Sequence, residues 1–126
     1  MSISPWNGDI EVLSPNGQHV AKVINTHEIA MGAPVSGILF INDKAISMRC
    51  NSSIVWSDDS RYIAFPEWTR SNNQKLKILN VESGKIKKLF KTYSVLELVD
   101  FSGLTLTGID SPIHKPKDLS IKLNAF

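Results

Sequence analysis

Apolar and polar residues alternate along short stretches of the chain, and small polar residues separate one stretch from the next. Alternation with a period of two is typical of β-strands that bury one face, and no stretch keeps the 3.6-residue period of a helix. The pattern predicts an all-β, antiparallel meander of about eleven short strands. The predicted strands are 9–13, 19–25, 35–42, 44–50, 54–57, 61–67, 75–81, 85–91, 95–101, 104–109 and 118–124.

One segment recurs three times at a constant spacing. LSPNGQHVAK begins at Leu13, WSDDSRYIAF begins 43 residues later at Trp56, and VDFSGLTLTG begins a further 43 residues on at Val99. Each copy has a bulky apolar residue, a polar turn and an apolar–small pair, which predicts a strand, a hairpin turn and a returning strand. We therefore predict a single domain, 1–126, of three β repeats of approximately 43 residues.

The repeat resembles a known family. WSDDSRYIAF is similar to the Trp-Ser-Pro-Asp-Gly-x-x-Ile-Ala-Phe element of TolB-type and WD40-like β-propeller repeats, and SPNGQHVA is a second copy. Residues 76–85 resemble the third strand and turn of such a blade, whose length is about 40–45 residues. The third copy lacks the Pro/Asp turn. The resemblance implies two to three propeller-like blades.

Too few blades are present for a closed ring, since closed propellers use about four to eight. The expected fold is therefore an open half-propeller or a sandwich. Exposed sheet edges invite pairing with another strand. Three outcomes are open: the sheets fold onto each other, copies assemble into a ring, or a partner covers the surface.

The longer connections of the meander, 26–34, 68–73 and 110–117, are predicted to share one end of the sheets. Long loops on a rigid scaffold usually carry recognition, whereas tight turns are mostly structural. Aromatic, Met and Arg side chains also suit the centres of interfaces. For Trp68, core packing and a partner anchor remain equally open. The predicted partner-binding residues are His27, Glu28, Met31, Glu67, Trp68, Arg70, Asp110 and His114.

Charge is weak overall but unevenly distributed. The net charge is +2; residues 1–67 hold four basic and seven acidic side chains, and residues 68–126 hold ten and five. A general nucleic-acid binder would be more basic. Lys75 and Lys77, with Lys85, Lys87 and Lys91 on the next strand, could track phosphates, although a solvated protective edge is the favoured interpretation.

Other residues indicate a cytoplasmic protein without catalytic equipment. The single cysteine, Cys50, permits no internal disulfide and is expected in the core. No leader pattern or membrane-length apolar run is present. The histidines lack metal-ligand spacing, and neither a nucleophile elbow nor a glycine-rich phosphate loop occurs. We therefore expect a protein that is not an enzyme and that uses no metal or cofactor. Asp58 and Asp59 are expected to form a structural turn, and Trp56 is expected to lie in the core.

In size and truncated propeller-like build, the chain resembles immunity proteins of bacterial contact-dependent growth inhibition. The resemblance implies a small cytosolic inhibitor that binds a cognate toxin domain in a 1:1 complex and covers its active site. A nuclease toxin, of the RNase A-like kind seen in such systems, would be attracted by the acidic N-terminal half.

Two other functions remain open at the level of sequence. Copies could close a ring that binds a small ligand such as a sugar, and a stable dimer or trimer would favour this over the inhibitor. A hydrolase would require a cluster of titratable groups in a pocket, which no sequence feature indicates.

Overall fold

The computed structural model describes residues 2–111 and 113–123, which form eleven β-strands. The strands are β1 (Ile10–Leu13), β2 (Val20–Glu28), β3 (Val35–Ile41), β4 (Lys44–Cys50), β5 (Val55–Trp56), β6 (Tyr62–Trp68), β7 (Gln74–Asn80), β8 (Ile86–Tyr93), β9 (Leu96–Ser102), β10 (Thr105–Asp110) and β11 (Lys117–Lys122). We refer to β1–β4, β5–β8 and β9–β11 as the first, second and third repeats. None of the described segments is a helix of the length and apolarity required to cross a membrane.

All strand pairs are antiparallel and form two sheets. The larger sheet is curled and has the order β1-β2-β3-β4-β6-β7-β8, with β5 also paired to β6; the smaller has the order β11-β10-β9. The predicted all-β meander of about eleven strands is confirmed. The last predicted strand, 118–124, extends one residue beyond the described part of the chain.

Strand β6 joins two hydrophobic cores because both of its faces are buried. Ile63 and Phe65 point into a core shared with β1–β4, whereas Tyr62 and Ala64 point into a core shared with the smaller sheet. This explains why β6 is a nearly continuous apolar run instead of an alternating one. Trp56 lies in the first of these cores, as expected, and its indole N–H donates to the Val12 carbonyl oxygen at 3.0 Å.

The first two hairpin turns have the same hydrogen-bond pattern. Ser14 N–H donates to the His19 carbonyl oxygen at 2.9 Å, and 43 residues later Ser57 N–H donates to that of Tyr62 at 2.8 Å. The Ser57 hydroxyl also donates to Asp59 Oδ1 at 2.6 Å. The structural turn predicted around Asp59 is therefore confirmed, and the 43-residue spacing corresponds to a repeated local geometry.

The third repeat departs from this register. Opposite β10, Thr107 is paired with Asp100 and Gly108 with Leu98, which leaves Val99 in a β-bulge and exposed. Phe101 occupies the core instead. The prediction that Val99 is the apolar counterpart of Trp56 is therefore wrong, because Phe101 pairs with Leu106 as Trp56 pairs with Ile63, so the third hairpin turn is two residues shorter than the second.

A buried connection between β4 and β5 ties the repeats together. The Asn51 side-chain amide donates to the carbonyl oxygens of Pro5 and Val35 at 2.9 and 2.8 Å, and its oxygen accepts from Ser53 N–H at 2.9 Å. The Ser53 hydroxyl accepts from Leu98 N–H in the third repeat at 3.0 Å. These bonds satisfy polar groups that would otherwise be costly to bury, and they connect the first repeat to the third.

Candidate functional site

Several connections and the N-terminal segment meet around one cavity of about 430 Å³. It lies where the β2–β3 loop, the β8–β9 turn and the β10–β11 loop converge. Its size falls within the range of small-ligand pockets and would also admit one protruding side chain of a protein. The lining residues are Trp6, Gly32, Ala33, Pro34, Ser94, Val95, Ser111, Ile113, His114 and Lys115. We call this the loop-end cavity.

The loop on one side of the cavity is fixed by hydrogen bonds. The Trp6 indole N–H donates to the Gly32 carbonyl oxygen at 3.0 Å, so the N-terminal segment is attached to the β2–β3 loop. Within that loop, Ile29 N–H donates to the Pro34 carbonyl oxygen at 3.2 Å. The wall is thus largely preformed, which lowers the entropy cost of binding.

Asp110 holds the opposite side of the cavity. Its Oδ1 accepts hydrogen bonds from the backbone N–H groups of Ser94 and Val95 at 3.0 and 3.2 Å. Burial and, secondarily, the Asp110 charge raise the pKa of the Tyr93 phenol. Asp110 therefore shapes the cavity from behind and is not among its lining residues.

Exposed apolar side chains lie in or next to the lining of the cavity. Met31, next to the lining residue Gly32, is 100% exposed, and Ile113 in the lining is 64% exposed. Lys115 is the formally charged residue among the lining side chains, and His114 lies beside it. The site is therefore mainly apolar, with His114 and Lys115 on one side.

The eight predicted binding residues divide into three groups. His114 lines the cavity, while Met31 and Asp110 lie at its margin. His27 and Glu28 are exposed at the end of β2, and Arg70 is exposed on the separate β6–β7 loop. The third group, Trp68 and Glu67, makes contacts directed into the fold.

Trp68 is a core residue and not an exposed partner anchor. Its side chain is 4% exposed, and its indole N–H donates to the Val35 carbonyl oxygen at 3.0 Å. Of the two interpretations left open by the sequence, packing is therefore the correct one. The curl of the larger sheet brings β3 over the end of β6, which position in the sequence alone does not reveal.

Glu67 points into the fold instead of towards a partner. Its two carboxylate oxygens contact Ser47 Oγ and Lys77 Nζ, each at 2.6 Å. Burial, followed by the charge of Glu67, raises the pKa of the Cys50 thiol well above its usual value. Cys50 is fully buried, in agreement with the prediction of a core role.

The predicted lysine stripe is broken up by local contacts. Lys77 pairs with Glu67, Lys75 Nζ donates to the Phe90 carbonyl oxygen at 2.7 Å, and Lys91 Nζ lies 5.4 Å from the centre of the Tyr93 ring. A register shift separates the pairing of Lys75 from that of Lys77. These lysines do not form one continuous track for phosphates.

The sequence did not indicate Trp6, Val95, Ile113 or Lys115 as site residues. Trp6 precedes the first predicted strand and lies in no predicted long loop, and the β8–β9 turn is too short to count among the long loops. Ile113 carried a usable signal, since it is an isolated large apolar residue in a polar loop.

Neither a metal-binding cluster nor a similarity to a known protein indicates a function for this chain. Within residues 2–111 and 113–123, no group of three or more His, Cys, Asp or Glu side chains is placed to hold a metal ion. No protein-family model, curated protein or solved structure matches the chain.

Proposed function

We propose that this chain is a protein-binding module in which an open, partial propeller presents the loop-end cavity to a protein partner. The observation that carries the proposal is a preformed apolar cavity accompanied by the exposed side chains of Met31 and Ile113. Large exposed apolar side chains next to a concavity are typical of interaction sites.

The propeller part of the proposal is supported by the way the hairpin turns adjoin. Asn16 N–H in the first turn donates to Ser60 Oγ in the second at 3.0 Å. Asp58 N–H donates to the Phe101 carbonyl oxygen of the third repeat at 2.9 Å. Each turn thus contacts the next in chain order, as expected for neighbouring blades around an axis.

A partner that inserts an apolar side chain into the loop-end cavity would bind favourably. Burying a side chain of the size of Leu or Phe yields about 1.5–3 kcal/mol, and Met31 can adapt its shape to the surface that it meets. The walls held by Trp6 and Asp110 need little reorganisation. A complete interface of standard size would bury about 1,600 Å² in total and extend beyond the cavity.

The biological role that we propose is inhibition, in the manner of an immunity protein of contact-dependent growth inhibition. The partner is then a cognate toxin domain, bound in a 1:1 complex in the cytoplasm with its active site covered. A nuclease is the proposed toxin class, since Glu28 is exposed at the loop-bearing end of β2 and would be attracted to a basic active site.

Electrostatic support for the nuclease is limited to a few side chains. Lys115 in the cavity lining has the same sign as a basic active site. Of the acidic residues of the N-terminal half, Glu67 pairs with Lys77, Asp9 bonds Thr26 and Asp59 bonds Ser57. Apolar contact at the cavity therefore carries more of the argument than charge does.

The ring-forming alternative receives no comparable support. A ring requires the outward face of the first repeat to meet the outward face of the third. The outward residues of β10 and β11 include Thr105, Thr107 and Ser120, whereas those of β1–β3 are mainly apolar. We therefore do not extend the proposal to a ring or to a sugar ligand.

Growth rescue tests the proposed function. The proposal predicts a toxin domain encoded by a neighbouring reading frame, and expression of that domain together with this chain is expected to restore growth. Met31→Glu and Ile113→Glu should abolish the rescue, because each places a carboxylate beside the apolar cavity. Phe90→Glu is the matched control, since Phe90 is 92% exposed on β8 and does not line the cavity.

Two outcomes would contradict the proposal. One is the absence of protection by the wild-type chain. The other is equal loss of protection in the folded Phe90→Glu control, which would place the binding surface elsewhere.

A further inference from the structure

Equivalent positions of the three repeats have very different surroundings. Val20, Ile63 and Leu106 are spaced 43 residues apart and each follows the hairpin turn of its repeat. Ile63 is buried against the first repeat, and Leu106 is buried against the second. Val20 belongs to neither core and is only half-buried. The first repeat therefore has an apolar residue where the other two repeats bury theirs against a neighbour.

A second set of equivalent positions gives the same result. Trp56 is 6% exposed in the core between the first two repeats, whereas its equivalent, Leu13, is 61% exposed. Leu13 is paired with Val20 across β1 and β2, so the two side chains share one face of the sheet. Glu11 and Lys22 form the next pair along this face, Ile24 and Ile38 follow, and Phe40 lies on it opposite Lys22. We call Leu13, Val20, Ile24, Ile38 and Phe40 the outer face.

The third repeat, at the opposite end of the molecule, has a polar residue at the equivalent outward position. Ala21 and Ala64 are fully buried against the following repeat, but their equivalent in the third repeat is Thr107, which is half-exposed. Arrays of stacked repeats need a polar outward face at their ends to remain soluble. The third repeat satisfies this requirement, whereas the outward face of the first repeat is mainly apolar around the charged pair Glu11 and Lys22.

We infer that the outer face binds the outer face of a second copy of this chain, in a two-fold symmetric dimer. A head-to-tail contact would place the outer face against the polar side chain of Thr107 and its neighbours. A two-fold contact instead places apolar residues against apolar residues.

Charge on the outer face is compatible with two-fold pairing. Glu11 and Lys22 lie opposite each other on β1 and β2, and their charged groups are 3.6 Å apart. Both side chains remain partly accessible to solvent. In an antiparallel two-fold arrangement, Lys22 of one copy can approach Glu11 of the second copy, so that no like charges need to be buried together.

The area of the outer face predicts a weak dimer. With a rise of about 3.3 Å per residue along β2 and about 4.8 Å between strands, the face of β1–β4 measures about 30 by 19 Å. Because β1 is short, about 500 Å² per copy, or about 1,000 Å² in total, would be buried, which is near the lower limit for a specific interface. We therefore expect a reversible, concentration-dependent dimer that leaves the loop-end cavity accessible.

Sedimentation equilibrium over a wide range of protein concentration tests this inference. The wild-type chain is expected to shift from monomer to dimer as its concentration rises. Leu13→Glu should weaken dimerisation at least about tenfold, since it buries a carboxylate at the apolar contact. Leu13 is largely exposed at the end of β1, so this substitution should leave the fold intact, which circular dichroism would verify.

Thr107→Glu is the matched control and should leave the dimer unchanged. A wild-type chain that stays monomeric at every concentration would overturn the inference. A dimer that survives Leu13→Glu, or that Thr107→Glu weakens equally, would also overturn it, because the contact would then involve another face.

Discussion

The backbone N–H of Asn16 donates a hydrogen bond to the hydroxyl of Ser60 across 3.0 Å, although the residues are 44 positions apart. This contact joins the hairpin turns of the first two repeats. Ser60 has a φ of +63°, in the left-handed region, and is buried. One residue therefore combines a structural bond with local backbone strain.

Two substitutions at Ser60 separate these effects. Ser60→Ala removes the bond and keeps the strain, so we expect a loss of about 1–2 kcal/mol in the free energy of unfolding. Ser60→Gly also removes the bond but relieves the strained φ, and should remain closer to wild type. Urea denaturation measures both. If the alanine variant were as stable as the wild type, the bond between the turns would contribute nothing.

Asn51 is expected to be the most sensitive polar residue of the core. Asn51→Ala removes three hydrogen bonds and leaves buried backbone groups, including the Pro5 carbonyl, with fewer partners. We expect a loss of about 3 kcal/mol in the free energy of unfolding. The exposed residue Asn7 provides the control, and Asn7→Ala should change the stability by less than about 0.5 kcal/mol. Similar losses in the two variants would argue against a structural role specific to Asn51.

Gly37 permits a close approach of β2 to β3. A Cβ atom at this position would lie 2.7 Å from the Ile24 carbonyl oxygen, which is backbone and cannot rotate away. Gly37→Ala should therefore destabilise the fold by about 1–3 kcal/mol through overpacking. At Gly8 the nearest atom to an added Cβ is Thr26 Oγ1 at 3.6 Å, so thermal unfolding of Gly8→Ala should resemble wild type. A stable Gly37→Ala variant would show that the strands can separate without cost.

The ionised carboxylate of Asp9 is expected to make the stability of the fold depend on pH. Hydrogen bonds from the Thr26 hydroxyl and then from its backbone N–H lower the pKa of the Asp9 carboxyl. Because the folded-state pKa lies below the unfolded value of about 3.9, the ionised carboxylate stabilises the fold above that pH, and the contribution is lost as the pH falls through the folded-state pKa.

The matched variants are Asp9→Asn and Asp43→Asn, the latter at an exposed turn position. Asp9→Asn should be less stable than wild type at pH 7, and the difference should shrink below about pH 4. Chemical denaturation across this range measures the effect. A difference that is independent of pH, or one that Asp43→Asn reproduces, would rule out the Asp9 carboxylate as its source.

The strand pattern was accessible from sequence because alternation and turn residues are local properties. The long apolar run from Tyr62 to Phe65 marked a strand, but its burial on both faces depends on the smaller sheet packing behind it. The constant spacing aligned Val99 with Trp56, but a hairpin turn two residues shorter places Phe101 at that position, and the β-bulge at Val99 has no distinctive sequence signal.

The candidate site was only partly predictable. Connection length correctly indicated that the β2–β3 and β10–β11 loops would lie at the same end of the sheets, since Gly32 and His114 line one cavity. Trp68 and Glu67 also adjoin a long loop, but the curl of the sheet turns them inward, towards Val35 and Ser47. Such inward turning depends on tertiary packing, which loop length does not encode.

Calorimetric titration of the purified toxin domain into this chain tests the role of the loop-end cavity most directly. We predict that Ile113→Ala weakens binding by about 2 kcal/mol, as expected for an apolar residue at the centre of an interface, and that Phe90→Ala changes it by less than about 0.5 kcal/mol. Unchanged affinity in a folded Ile113→Ala variant would contradict a binding site at the loop-end cavity.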